Sequence, residues 1–247
     1  MNNLKCLLAV FAAGIAALAH ASSPFNINQT PNFGAANGVA VSDRYSTNGA
    51  GPSHITAADN FNLAIDSSND YQLTSLSVTG FALNGLGLSQ LPNSAIGTYE
   101  INILAADGGG NPTHTVLFTR TFSAGDSAVS TAFAAAGTGA NTGFNFYKTT
   151  FDLSGAPIGL GTGGNYYLNF GVSGSNNATF AWAFSGTGSG ISNYLSQNSA
   201  GGGWGTWTNS TGANLAFELN GTIETVPEPA TFALGIVLLP LLKRRKK

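Results

Sequence analysis

Apolar and polar residues alternate with a period of two along most of this chain from residue 60 onward. In TYEINIL (98–104), the alternation places Tyr99, Ile101 and Ile103 on an inward face and the polar residues between them on an outward face. Successive side chains of a β-strand point to opposite faces, so this pattern is typical of strands with one buried face. The chain is therefore predicted to fold as an all-β protein.

About eight segments share the pattern, are rich in aromatic and β-branched residues, and end at Gly, Asn, Asp or Ser. They are NFNLAI (60–65), YQLTSLSVTGF (71–81), TYEINIL (98–104), TVLFTRTF (115–122), YKTTFDL (147–153), NYYLNFGV (165–172), ATFAWAF (178–184) and NLAFEL (214–219). Half-buried strands must cover one face with a second sheet, which predicts a single antiparallel β-sandwich. A jelly-roll-like arrangement is preferred over an immunoglobulin-like one on strand number alone.

Two of these segments carry finer predictions. In the first, Phe61, Leu63 and Ile65 are predicted to share one face of a strand. In the second, the apolar positions change parity between Leu73 and Leu76, which predicts a β-bulge or a bend between them.

The N-terminus has the features of a secretory signal peptide. A single cation, Lys5, precedes an apolar stretch from residue 6 to residue 18, and small residues, Ala19 and Ala21, stand at the −3 and −1 positions of a signal-peptidase site. Residues 1–21 are therefore predicted to form a signal helix that signal peptidase removes. The only cysteine, Cys6, leaves with it, so no disulfide is expected in the mature protein.

Charge is segregated along the chain. Residues 22–225, called the body below, hold ten acidic and three basic side chains, for a net charge of −7, whereas the whole chain has −2. Nucleic-acid binding needs clustered Lys and Arg, so the body is not expected to bind nucleic acid. Within the body, residues 22–55 are predicted to be an irregular polar arm, and residues 56–225 the β-sandwich domain.

A long glycine-rich loop, residues 185–207, carries Tyr194, Trp204 and Trp207. Long loops in compact domains are often functional, and exposed aromatic rings can stack on sugars. These three residues are therefore candidates for glycan stacking. The alternative is that the tryptophans pack inward, as Trp182 is expected to do. Trp207 would then be the first residue of an edge strand.

Oxygen-bearing side chains cluster in two loops. Asp107 and Asn111 flank three glycines in AADGGGNPTH (105–114), a predicted tight connection between strands, and Asp66 lies near Asn69 and Asp70. Calcium binds such oxygens, so both sets are candidate calcium ligands. Asp107 and Asn111 are the preferred pair. The alternative is that each aspartate caps its own turn. No other cofactor is expected.

The mature sequence contains no catalytic motif of the common hydrolase, protease or nucleotide-binding classes. The two remaining histidines, His54 and His114, lie in different loops and do not make a zinc site. The body is therefore predicted not to be an enzyme. The alternative is a secreted hydrolase that acts on polysaccharide with a pair of carboxylates about 5–10 Å apart.

The C-terminus differs from the rest of the chain. Val226, Pro227, Glu228 and Pro229 precede an apolar segment, 230–242, and a basic end made of Lys243, Arg244, Arg245, Lys246 and Lys247. As a helix, the apolar segment would be only ~20 Å long against a hydrocarbon core of about 30 Å. The cations would stop it at the cytoplasmic face. A short, transient anchor in the inner membrane is predicted, with a plain single-pass anchor as the alternative.

Residues 226–247 resemble the PEP-CTERM sorting signal of Gram-negative bacteria, both in the order of the motif, the apolar segment and the cations and in their position at the C-terminus. The body is similar to a β-sandwich domain common in those proteins, through ADNFNL (58–63), DGGGNP (107–112), YYLNF (166–170) and LAFELNG (215–221). The resemblance implies recognition of the motif 226–229 by an exosortase, cleavage, and release to the outer surface or extracellular matrix. It also implies a structural or adhesive role linked to exopolysaccharide or biofilm, with extracellular polysaccharide as a partner.

Overall fold

A computed structural model describes residues 22–34, 39–42, 55–84, 89–186, 194–197, 205–209 and 214–225; of 194–197 it describes the backbone only. The predicted signal helix, the C-terminal hydrophobic helix and Trp204 lie outside these residues. Among the described residues, no helix is long and apolar enough to cross a membrane.

The described chain is built almost entirely of strands, with three short 3-10 turns at Asn93–Ala95, Gly139–Asn141 and Ser175–Asn177. The strands are β1 (Ser22–Asn28), β2 (Val39–Ser42), β3 (Ile55–Leu63), β4 (Asn69–Asn84), β5 (Gln90–Leu91), β6 (Ile96–Ala106), β7 (Pro112–Ser123), β8 (Val129–Ala136), β9 (Asn145–Asp152), β10 (Ile158–Gly161), β11 (Gly164–Gly174), β12 (Ala178–Ala183), β13 (Tyr194–Gln197), β14 (Thr208–Asn209) and β15 (Phe217–Thr225). The all-β prediction is confirmed.

The strands form two antiparallel sheets. The nine-stranded sheet is organised around the long strand β4, which pairs with β15 and β12 along one edge and with β10, β9 and β5 along the other. Beyond these, β1 pairs with β15, β2 with β12 and β8 with β9. The six-stranded sheet has the order β14-β13-β3-β11-β6-β7.

One apolar core lies between the two sheets. Phe170 of the six-stranded sheet meets Phe180 of the nine-stranded sheet with ring centroids 4.8 Å apart, and Tyr99 meets Phe151 at 5.4 Å. Trp182 is fully buried in this core, as its strand pattern predicts, and its indole N–H donates to the Ala216 carbonyl at 2.7 Å. The inward faces of the alternating strands therefore supply the core.

Polar side chains also join the sheets. The Ser42 hydroxyl on β2 donates to the Phe170 carbonyl at 2.5 Å and accepts the Ala57 N–H at 3.0 Å. The carboxylate of Asp59, on β3 and without solvent exposure, accepts the Leu215 N–H at 2.5 Å. Burial, partly offset by hydrogen bonds from the Leu215 and Asn60 N–H groups, raises the pKa of Asp59 to about 8.

The parity change in β4 is a β-bulge. Leu73 pairs with Gly221 and Ser75 with the preceding Asn220, so Thr74 is the extra residue. The bulge turns Leu73 and Leu76 toward the same face, and both are fully buried. The predicted irregularity is confirmed.

The prediction of an irregular arm over 22–55 is wrong for its described residues, because β1 and β2 are paired strands. The apolar signal of β1 is only Phe25 and Ile27, which pack at the edge of the core. Phe25 fits there because Gly221 has no side chain; a Cβ at Gly221 would lie 2.3 Å from the Phe25 ring.

Two further expectations need correction. Ile65 is 80% exposed rather than inward, because β3 ends at Leu63 and the chain turns away. Glu100 and Asn102 do point away from the inter-sheet core, yet both are buried. Asn102 donates to Glu100 and Asn169 at 3.0 Å and accepts the Thr119 hydroxyl. The outer face of the six-stranded sheet is therefore partly covered rather than open to water.

Candidate ligand-binding cleft

A surface cleft lies where the β6–β7 connection meets the segment 205–209. It has a volume of about 690 Å³ and is called the His114 cleft below. Its lining is made of Asp107, Asn111, Pro112, His114, Gly205, Thr206, Trp207 and Asn209. Two sets of residues singled out from separate parts of the sequence, the Asp107–Asn111 pair and Trp207, therefore meet in one place.

The wall on the β6–β7 side is a tight turn. The Asp107 N–H donates to the Asn111 carbonyl at 2.8 Å, and Gly110 has a φ of +81°, a conformation that favours glycine. The Asp107 Oδ1 accepts the backbone N–H groups of Gly109 and Asn111, both at 2.8 Å. Hydrogen bonds hold the pKa of Asp107 below its ordinary value. Those from Asn111 have the largest effect, and those from the Gly109 and Gly110 N–H groups add to it. Asp107 thus stays ionised while it caps its own turn.

The lining also contains an aromatic pair. The rings of His114 and Trp207 stack with centroids 5.3 Å apart and planes inclined by 20°. The His114 Nε2 lies 2.8 Å from the Gly205 carbonyl oxygen, which only accepts, so this nitrogen carries a hydrogen. His114 therefore connects the first residues of β7 to the segment that carries Trp207.

Trp207 is only 9% exposed. It packs on the outer face of the six-stranded sheet with Ala58, Leu104 and Tyr167, and edge strand β14 begins directly after it. The Tyr167 hydroxyl donates to the Gly110 carbonyl and so ties this cluster to the turn. Of the two interpretations of Trp207, the structure shows the packed one, and the exposed ring in the cleft is that of His114.

The remaining sequence candidates lie elsewhere. The backbone of Tyr194 belongs to β13 and pairs with Ala58. Asp66 caps a separate turn, accepting the Ser68 N–H at 2.9 Å and the Asn69 side-chain amide at 3.0 Å. The signal-peptidase and sorting residues lie outside the described part of the chain: Ala19, Ala21, Val226, Pro227, Glu228, Pro229, Lys243, Arg244, Arg245, Lys246 and Lys247.

Both aspartates use their carboxylates as turn caps, which is the alternative to calcium ligation. Within the described residues, no group of three or more His, Cys, Asp or Glu side chains is placed to hold a metal ion. Calcium at Asp107 and Asn111 stays a prediction.

His114 was missed as a cleft residue in the sequence analysis. Its partners, Gly205 and Trp207, lie about ninety residues further along the chain. Periodicity describes one strand at a time and carries no signal for such a meeting.

The chemistry of the cleft is that of a polar binding site with one negative charge. Amides from Asn111 and Asn209 and the Thr206 hydroxyl offer donors and acceptors, and the described lining contains no Lys or Arg. Asp107 is the one carboxylate in this described lining, whereas a glycosidase of the paired type needs two.

No protein-family model matches this sequence, and no curated protein matches it. Among solved structures, the chain is similar to the cysteine protease and lectin-like domains of Cwp84, a surface layer associated protein of Clostridium difficile, at 14% identity and a TM-score of 0.40. The match covers 70% of this chain and 32% of that one, so the chain spans about a third of that structure's length.

Proposed function

We propose that this chain is an exported cell-surface or extracellular-matrix protein whose jelly-roll-like β-sandwich body binds extracellular glycan in the His114 cleft. The observation that carries the binding role is the meeting of the His114–Trp207 pair with the Asp107–Asn111 turn. An exposed imidazole offers a flat surface for the C–H face of a sugar ring, and the amides and carboxylate around it match sugar hydroxyls.

Export and sorting form the second part of the proposal. Its support is in the sequence: the signal-peptide pattern of residues 1–21 and the motif, apolar segment and cations of 226–247. In this proposal the tail holds the body briefly at the inner membrane. An exosortase then cuts near 226–229 and the body reaches the outer surface, where its role is structural or adhesive within exopolysaccharide or biofilm.

Binding is preferred over hydrolysis because of the single carboxylate in the described lining of the cleft. Asp107 also has a lowered pKa, which suits an ionised acceptor, whereas a general acid needs a raised pKa. No observation favours the hydrolase specifically.

The test is a glycan-array screen of the exported protein, expressed with its leader and tail in a Gram-negative host and purified after export. His114→Ala removes the exposed ring and is expected to weaken binding of any sugar that scores by about three- to tenfold. Trp207→Ala is a poor probe, because truncating a buried tryptophan costs about 3–5 kcal/mol of stability. Phe133→Ala, which removes an exposed ring on β8 outside the cleft lining, is the control.

Equal binding by the wild type and the folded His114→Ala variant would contradict the proposal that the His114 cleft is the glycan-binding site. A folded protein that binds no sugar on the array would remove glycan binding altogether.

A further inference from the structure

We infer that the His114 cleft selects a sugar with a free, protonated amine, such as a hexosamine unit that is not acetylated. This inference rests on the proposed glycan-binding function and names the class of its ligand. It follows from four observations: a carboxylate with spare acceptor capacity, the lack of Lys and Arg in the described lining of the cleft, the negative charge of the body, and the stacked His114–Trp207 pair.

The spare acceptor is the Oδ2 atom of Asp107. Its Oδ1 partner accepts the two backbone N–H groups of the turn at 2.8 Å, whereas the one described donor to Oδ2 is the side-chain amide of Asn111 at 3.3 Å. A carboxylate oxygen has two lone pairs, so Oδ2 keeps room for a donor from a ligand. A charged N–H donor forms a stronger hydrogen bond with a carboxylate oxygen than a hydroxyl does.

The described part of the cleft holds no Lys or Arg side chain to neutralise this carboxylate. The cation of β7 is Arg120, which pairs with Ile101, an inter-sheet core residue. Directly paired residues point to the same face of a sheet, so Arg120 lies on the inner face. The Trp207 cluster lies on the outer face. The cleft thus presents an uncompensated negative charge within its described lining.

The charge of the body acts in the same direction over a longer range. Ten acids against three cations repel acidic sugars such as uronates and attract cationic ones. At 0.15 M salt the Debye length is about 8 Å, so distant acids are screened while a contact with Asp107 persists. Salt therefore separates general attraction from recognition in the cleft.

The aromatic pair favours an amino sugar over other amines as the ligand. The exposed His114 ring, stacked on Trp207, offers one flat surface, and Thr206, Asn111 and Asn209 contribute hydrogen-bonding groups to the same cleft. A pyranose with an equatorial amine matches both parts, because its C–H face can lie on the ring while its amine reaches the carboxylate.

The test compares three sets of short oligosaccharides at 0.15 M salt: glucosamine oligomers, N-acetylglucosamine oligomers of the same length, and neutral glucose oligomers. Binding of the exported protein is measured by calorimetry. The wild type is expected to bind the glucosamine set about three- to tenfold more tightly than the other two.

Asp107→Asn is the decisive variant, with Asp152→Asn as its matched control. Both aspartates are exposed, and each caps its own turn through Oδ1, Asp152 with the Ser154 N–H at 2.8 Å. Both substitutions keep that acceptor and remove one charge. Asp152 lies on the nine-stranded sheet, away from the cleft lining. Asp107→Asn is expected to abolish the preference for glucosamine, and Asp152→Asn to keep it.

Equal affinity for the three sets, or equal effects of the two variants, would overturn this inference and leave glycan binding standing. Loss of binding to every oligosaccharide in a folded wild type would instead overturn the proposed function.

Discussion

Asp59 is a buried acid whose ionisation opposes folding. It has no solvent exposure, and burial raises its pKa to about 8, whereas an unfolded chain titrates it near 4. Between these pH values the folded protein holds a proton that the unfolded chain has lost. The stability contributed by this residue is therefore complete below about pH 4 and is lost as the pH rises toward 8.

The free energy of unfolding of the wild type is accordingly expected to fall between pH 5 and pH 8, with a slope of at most about 1.4 kcal/mol per pH unit from this group. Urea unfolding at several pH values measures it. Asp59→Asn is expected to flatten the curve. At pH 5, where the wild-type carboxyl group is protonated, the variant is expected to be less stable by about 1–3 kcal/mol, because an amide oxygen replaces only one of the two oxygens that accept N–H groups. Parallel pH curves for the two proteins would contradict the assignment.

The carboxylates whose pKa values are lowered do not interfere with this measurement. Hydrogen bonds lower the pKa of Asp66, Asp107 and Asp152, and the Lys148 ammonium, 2.7 Å from Glu218, lowers that of Glu218. A lowered pKa contributes stability that is lost as the pH falls through the acid range. Their effect therefore lies below the window used for Asp59 and has the opposite sign.

At the scale of elements, Gly80 is a position where β4 and β12 lie too close together for a side chain on β4. A Cβ at Gly80 would lie 2.2 Å from the Ala181 carbonyl oxygen and 2.5 Å from the Phe180 ring. The first contact is with the backbone of the paired strand, which cannot rotate away as a side chain does. Only glycine fits there without moving the strand.

Gly80→Ala is expected to destabilise the protein by about 3 kcal/mol or to prevent folding. Gly108→Ala is its control, because a Cβ at Gly108 meets nothing within 4 Å; it should change stability by less than about 0.5 kcal/mol. Thermal unfolding of both variants decides the question. Similar melting temperatures for the two would contradict the packing of β4 against β12.

The strands that could be predicted are those with long apolar alternation. The bulge in β4 was also predictable, because a parity change between Leu73 and Leu76 leaves few other geometries. β1 was missed because two apolar residues, Phe25 and Ile27, are too few to make a pattern. The burial of Asn102 was missed because it depends on what covers the outer face, and alternation describes only which face a residue occupies.

At the scale of the whole molecule, the sorting proposal predicts a defined product. Mass spectrometry of protein recovered from the cell surface is expected to find the body ending near residues 226–229, without the basic tail. Glu228→Ala should block this processing, and Glu224→Ala, an exposed change at the end of β15, should not. Surface protein that ends intact at Lys247 would contradict the proposal.

The fold class followed from local pattern, whereas the strand order and the cleft did not. Nothing in the alternation indicates that β4 pairs with five other strands, or that residues 107–114 meet residues 205–209. These meetings depend on which apolar faces match in three dimensions. Asp107, Asn111 and Trp207 were each singled out in the sequence, but their proximity and the part of His114 were not.

The pairing of β1 with β15 joins the first and last described strands of the body, over a full register from Ser22–Glu224 to Asn28–Glu218. The same last strand completes one edge of β4. The nine-stranded sheet is therefore incomplete until residue 225 is available, and in the proposed export a chain that crosses the membrane from its N-terminus brings this last strand across at the end. Folding of such high contact order is slow. A C-terminal segment that pauses the chain at the membrane would give the body time to close its sheet before release.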